Sequence, residues 1–246
     1  MSPKKSGSVL IAHTGATSVT LGDLRKMPDP KKLGRIHTPV RHDVFVDGLL
    51  SALMTRELEV EKSEFAVMRG GAKLFGVIDF ASKDKKIGAC LGFRHGNDRS
   101  MRVRIVAGLR VFVCDNMMLS GDEVFMNRLH TNTFDILNES IAAVDRYLEV
   151  RGKIHDVMER MQDCKISVPR AKEIIYDAVV ENDVLPLRLL PSVNEWYFKG
   201  DTEDVKPRTV WGLHNAFTRT IKELPTLNQQ MAASSAVTRE LGKVTV

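Results

Sequence analysis

The chain has 246 residues, 43% hydrophobic and 27% charged, enough to bury a core in one large domain or in one domain with a helical appendage. No apolar run approaches the about 18 residues of a membrane span, and Met1-Ser2-Pro3-Lys4-Lys5-Ser6 lacks the apolar block of a secretory signal, so the expected location is cytoplasmic with no membrane partner. The net charge of +5 is uneven: residues 1–41 and residues 83–110 each carry eight Lys and Arg against two Asp, a pattern that fits a polyanionic partner as well as plain solubility.

Residues 1–37 read as a basic extended arm, because Met27-Pro28-Asp29-Pro30-Lys31-Lys32 cannot be a regular element; one short strand is expected at 8–12. Thr38-Pro39 then opens a helix carrying Phe45, Val46, Leu49, Leu50 and Leu53 to about Leu58. Residues 64–69 and 72–80 form a hairpin around Gly70-Gly71, with Phe65, Val67, Leu74, Ile78 and Phe80 on the core face. Strands follow at 87–93 and 101–113. In the second, Val103, Ile105, Ala107, Leu109 and Val111 alternate with Arg102, Arg104, Val106, Gly108 and Arg110. After Ser120-Gly121-Asp122 the chain is expected to turn helical, with a long helix over 134–161 striped by Leu137, Ile141, Val144, Leu148, Ile154 and Met158. Ser167-Val168-Pro169 starts another helix, residues 184–191 read as a packed loop, and Val210, Leu213, Phe217 and Ile221 define a helix that stops at Pro225. The expected fold is α+β, a small antiparallel sheet of three to five strands packed against long helices. The domain spans 38–225, and 226–246 is a mobile C-terminal tail.

Polar chemistry collects at both ends of the arginine strand. Arg94, His95, Asn97, Asp98, Arg99 and Ser100 precede it, and Cys114 and Asn116 close it. One reading is a nucleic-acid surface: Arg94, Arg99, Arg102, Arg104, Arg110, Lys85 and Lys86 hold phosphates, and Phe75 and Phe112 stack on bases if their face is open. The other is structural, with the arginines paired to Asp135, Glu139, Asp145 or Glu149 of the long helix. A metal or hydrolytic site at His95, Asp98, Asp115, Asn116 and His130 lacks any ligand spacing, so no catalytic residue, metal or cofactor is assigned and an enzyme is the less favoured class. Cys90, Cys114 and Cys164 fit no zinc pattern and read as reduced thiols. Trp211 and Asn215 lie one helical turn apart, with packing as the expected role of Trp211.

The segments 92–116, Arg128-Leu129-His130-Thr131 and Thr209-Val210-Trp211-Gly212-Leu213-His214-Asn215-Ala216-Phe217-Thr218 together resemble the phage/plasmid-like domain of unknown function 932 family. The motif positions are His95, Asn97, Asp98, Ser100, Cys114, Asn116, His130, Trp211 and Asn215. The resemblance implies a protein of a phage or plasmid-type mobile element in a bacterial cytoplasm. The order of elements is also similar to single-strand annealing protein cores. From this follows the expected function: non-enzymatic DNA binding, with single-stranded DNA preferred, in recombination, as a homo-oligomer. The alternative is an interaction or counter-defence protein that sequesters a host protein partner or a phosphate-bearing ligand.

Overall fold

The computed structural model describes residues 16–81, 87–111, 116–202, 205 and 208–245; at 87, 109–111, 116–123, 227 and 228 it describes the backbone alone. The protein is α+β, with one open sheet of six strands in sequential order: β1 (Thr17–Val19), β2 (Val60–Met68), β3 (Lys73–Phe80), β4 (Ile87–Gly96), β5 (Val103–Val111) and β6 (Asn116–Arg128). The sheet exceeds the expected three to five strands because β1 and β6 join it. The α-helices are α1 (Leu21–Arg25), α2 (His42–Thr55), α3 (Ile136–Asp163), α4 (Val168–Tyr176), α5 (Leu190–Asn194), α6 (Val210–Ile221) and α7 (Leu227–Val244). Contacts divide the chain into two compact units, residues 1–115 with 123–149, and residues 116–122 with 150–246.

In the first unit, β1 to β5 pair antiparallel. The β2–β3 turn runs through Arg69, Gly70 and Gly71 at φ 53, 64 and 88, the left-handed region that the two glycines enter freely. The register places Val67 opposite Leu74 and Phe65 opposite Gly76, as the alternation predicts. Phe45, Leu49 and Leu53 of α2 are buried with Leu74, Ile78, Leu91, Phe93 and Ile105. Phe45 meets the Phe93 ring edge-on at 5.4 Å, and that ring lies directly over Gly76 where a Cβ would stand. Tyr147 of α3 stacks on Phe80 at 5.2 Å. The other sheet face is buried as well: Ala66, Phe75, Val77, Cys90 and Val106 are all shut off from solvent.

Several expected boundaries move for identifiable reasons. Residues 17–25, expected in an extended arm, form β1 and α1. Thr20 caps α1 by accepting from the Asp23 N–H at 3.1 Å while the Asp23 carboxylate accepts from the Thr20 N–H at 2.9 Å. Helix α2 starts at His42, not Thr38, because the Asn97 side chain occupies both polar groups of the Val40 backbone and holds it out of the helix. β4 runs on to Gly96, so Arg94 and His95 are strand residues and the polar loop is only 97–102. Residues 116–128 are strand β6, not a turn and helix; strand pairing overrides the turn preference of Ser120-Gly121-Asp122. On α3, Val144, Ile154 and Met158 are buried as the stripe predicts, but Leu137 is exposed. The short strand expected at 8–12 lies outside the described residues.

In the second unit, Ser167 caps α4 by accepting from the Arg170 N–H, and Ala171, Ile174 and Ile175 are buried. A π-helical turn (Asp177–Glu181) continues the helix and buries Ala178 and Val179. The expected loop at 184–191 instead holds a 3-10 turn (Leu187–Leu189) and the start of α5. Pro191 sits in the first turn of α5, where its missing N–H costs nothing. A second π-helical turn (Glu195–Lys199) buries Tyr197. The segment expected to be a tail is α7, capped by Thr226, with Met231, Ala233, Val237 and Leu241 buried. On α6, Trp211 stacks parallel to His214 at 5.4 Å, and His214 Nε2 is 3.0 Å from Thr238 Oγ1 of α7.

Candidate functional site

The loop between β4 and β5 is built by its own side chains. Asn97 accepts from the Val40 N–H at 3.1 Å and donates to the Val40 carbonyl at 2.8 Å, while its backbone N–H donates to the Ala72 carbonyl. One amide thus joins the start of α2, the β2–β3 turn and the loop. Asp98 accepts from the backbone and the hydroxyl of Ser100 at 3.0 and 2.6 Å, closing a tight turn. Its other oxygen lies 3.5 Å from Arg69 and 3.8 Å from Lys73. Ser100 and cationic neighbours hold this carboxyl below its usual range despite partial burial. Asp98 therefore anchors the loop and is committed to Ser100, Arg69 and Lys73.

Arg99 stands at φ 60 and donates from Nη1 to the Leu33 carbonyl at 3.0 Å. Gly34, at φ 110, leaves room for this: a Cβ there would come within 3.3 Å of the same Nη1. The bond joins the 31–35 segment to the loop, so exposed Lys31, Lys32 and Arg35 of the first basic zone and exposed Arg99 and Arg102 of the second stand on adjoining segments, together the basic strip. Beside the strip lies a cleft of about 830 Å³ lined in part by Val19, Met27, Lys31, His42, Arg69 and Asp98.

The row of arginines expected on one open strand face is only partly so arranged. Arg102 precedes β5 and is exposed. Arg104 lies opposite Arg94 in register, both half-buried, and burial together with the Arg104 charge lowers the pKa of Arg94. Like charges directly opposed across a ladder disfavour one another, and with both groups half-buried the pair departs from the open row of cations expected. Phe75, expected to stack on bases if its face were open, is buried. Of the carboxylates named as alternative partners, Asp145 binds Arg56 at 2.7 Å and Glu139 binds Arg128 at 2.8 Å. Lys85, Lys86, Phe112, Cys114 and Asp115, and the side chains of Arg110 and Asn116, lie outside the described residues.

The largest departure from the sequence reading is a buried quartet of histidines. His95 and His130 carried motif status; His37 and His42 did not, and no spacing links the four. His95 is stacked against Phe45 at 4.6 Å, and His130 meets it edge-on at 4.6 Å between ring centroids. His42 meets His95 at 4.8 Å, and His37 meets His130 at 6.2 Å. Burial is the first cause that lowers each imidazole pKa, with His130 pushed down to about 4. Asp98 is not gathered with His95 and His130. Among the described residues, the group with metal-ligand spacing is instead His155, Asp156 and Glu159, all exposed on α3.

Trp211 and Asn215 are buried in the second unit, which fits packing for Trp211. Cys90 and Cys164 are free thiols. Among the described residues no helix is long and apolar enough to cross a membrane. No protein-family model, no curated protein and no solved structure matches the chain.

Proposed function

We propose that this chain is a non-enzymatic nucleic-acid-binding protein that holds single-stranded DNA on the strip formed by Lys31, Lys32, Arg35, Arg99 and Arg102. The observation that carries the reading is the Arg99–Leu33 hydrogen bond, which joins segments of two basic zones far apart in sequence, so that their exposed cations adjoin. Guanidinium groups grip phosphate through paired N–H donors, and Arg102 is exposed with nothing opposing it in charge among the ion pairs described. The reading extends to annealing by a homo-oligomer of phage or plasmid type in a bacterial cytoplasm, which the family resemblance motivates.

Binding of a labelled strand of about 60 nucleotides, followed by fluorescence anisotropy against salt, tests this. Five phosphate contacts on a single strand give a log–log salt slope of about −3.5, hence about a hundredfold loss of affinity between 50 and 200 mM salt. Changing Arg99 and Arg102 to Ala lowers the slope to about −2. Equal affinity and slope in parent and variant would refute the assignment. An acidic host protein retained after nuclease treatment would point to the sequestering alternative.

A further inference from the structure

The cleft beside the basic strip shares its walls with the two segments that carry the strip. Lys31 and Leu33 line it from one, and Asp98, next to Arg99, lines it from the other. Its volume of about 830 Å³ lies in the range of small-ligand sites. Val19, Met27, Pro28, Pro30 and Met68 give it a mainly apolar lining. Both methionines are half-buried, and the Met27 sulfur lies 3.5 Å from the point where a Cβ on Gly71 would stand. The Met27 side chain therefore reaches across to the β2–β3 turn. Thioethers adapt their shape and make favourable contacts with flat aromatic rings. The charges of the lining cancel: Lys31, Arg41 and Arg69 face Asp29, Asp43 and Asp98. Arg41 binds Asp29 at 2.6 Å and Asp43 at 3.0 Å, and Asp98 lies 3.5 Å from Arg69. Asp29 uses one oxygen on Arg41 and leaves the other as an acceptor. A neutral, apolar cleft bordered by cations suits a ligand with an uncharged flat body and an anion that stays outside. A nucleotide divides in that way.

We propose that the cleft receives one unstacked base of the bound strand while the neighbouring phosphates lie on the basic strip. This rests on the nucleic-acid reading and adds to it a source of affinity that does not depend on salt. A base in a single strand has no pairing to lose, so entry costs only its stacking on its neighbours. It gains burial against Met27, Met68 and the prolines, and its N–H groups can donate to Asp29. The lining carboxylates repel phosphate, while Lys31, Lys32 and Arg35 attract it, which sets the base inward and the backbone outward. A strand held by its phosphates alone would leave the cleft unused and every base exposed.

Fluorescence anisotropy on the full chain, with a strand of about ten nucleotides and an abasic strand of the same length and charge, tests this. The parent should bind the abasic strand about tenfold more weakly at an unchanged salt slope. Met27→Ala should cost about fivefold on the normal strand and nothing on the abasic one, and Met27→Leu should recover most of the loss. Equal affinity of the parent for the two strands, or an equal loss on both in M27A, overturns base insertion and leaves the strip standing. Proton–carbon NMR of the methionine methyls reads the parent alone and decides if M27A does not fold. The ring current of an inserted base should move the Met27 and Met68 methyls; methyls unmoved in the saturated complex overturn the proposal. Methyls that move with protein concentration and not with the strand would put a second copy of the chain in the cleft, which also overturns it. If neither strand binds, the nucleic-acid reading fails, and a titration with deoxyadenosine monophosphate decides the cleft. Shifts at the same two methyls keep it as a nucleotide site, and their absence removes it.

Discussion

Mild acid should unfold this protein through histidines that are buried neutral, and His214 gives the cleanest measure. It is fully buried on α6, keeps a single hydrogen bond from Nε2 to Thr238, and burial pushes its pKa down to about 4. In the unfolded chain an imidazole titrates near 6.5. The native state therefore binds fewer protons than the unfolded state below that value. Stability from this site is complete above about pH 6.5, falls as pH drops through it, and is exhausted near pH 4. Integrated from pH 7.5 to pH 5.5, the loss is about 1.3 kcal/mol for this one group. Urea unfolding at the two pH values, read by far-ultraviolet circular dichroism, gives the total pH dependence. His214→Gln places an amide where Nε2 stood, so the Thr238 contact survives and the titration does not. The variant should lose about 1.3 kcal/mol less than the parent across the same interval. Identical pH dependence of the two proteins would show that His214 is not buried neutral, and the reasoning would fail with it.

Other substitutions probe single structural links. Asn97→Ala removes both hydrogen bonds to Val40 and leaves half-buried backbone groups unsatisfied; chemical denaturation should show a loss of about 1–2 kcal/mol. Gly76→Ala drives a methyl into the Phe93 ring and should cost about 1–3 kcal/mol, recovered in part by Phe93→Leu in a double-mutant cycle; independent, additive losses would contradict the packing. Thr209→Ala removes the N-cap of α6, where the hydroxyl accepts from the Gly212 N–H at 3.1 Å, and should lower stability by about 1 kcal/mol in the same assay. Asp145→Asn weakens a part-exposed, solvent-screened ion pair with Arg56 and should leave the urea unfolding midpoint essentially unchanged.

Much of the fold was legible because its signals are local. The alternation in β5, the paired glycines of the first hairpin and the Ser167-Val168-Pro169 start of α4 each carry their geometry within a few residues. The failures share the opposite property. β6 contains Ser120-Gly121-Asp122, a turn by composition and a strand only through its place in the sheet. Helix α7 buries Gln230, Ser234 and Thr238 along with its few aliphatics, so its inward face reads as polar. The start of α2 is decided by Asn97, an amide 57 residues away. At the candidate site, Arg99 and Arg102 were identifiable as cations, but the bond from Arg99 to Leu33 spans 66 residues and leaves no trace in spacing. His37 and His42, His95 and His130 come from three stretches of chain, and only the three-dimensional structure collects them.

The three-residue strand β1 lies along Phe65, Ala66 and Val67, the most apolar stretch of β2, while the rest of that strand's margin bears Glu61, Lys62 and Glu64. Charged side chains deter a foreign strand from docking; among the described residues, Thr17–Val19 is what covers the apolar stretch. A truncation that begins after Thr20 would therefore bare backbone donors and acceptors beside oily side chains and invite edge-to-edge stacking of one molecule on the next, turning a soluble preparation into aggregate without disturbing a single residue of the basic strip.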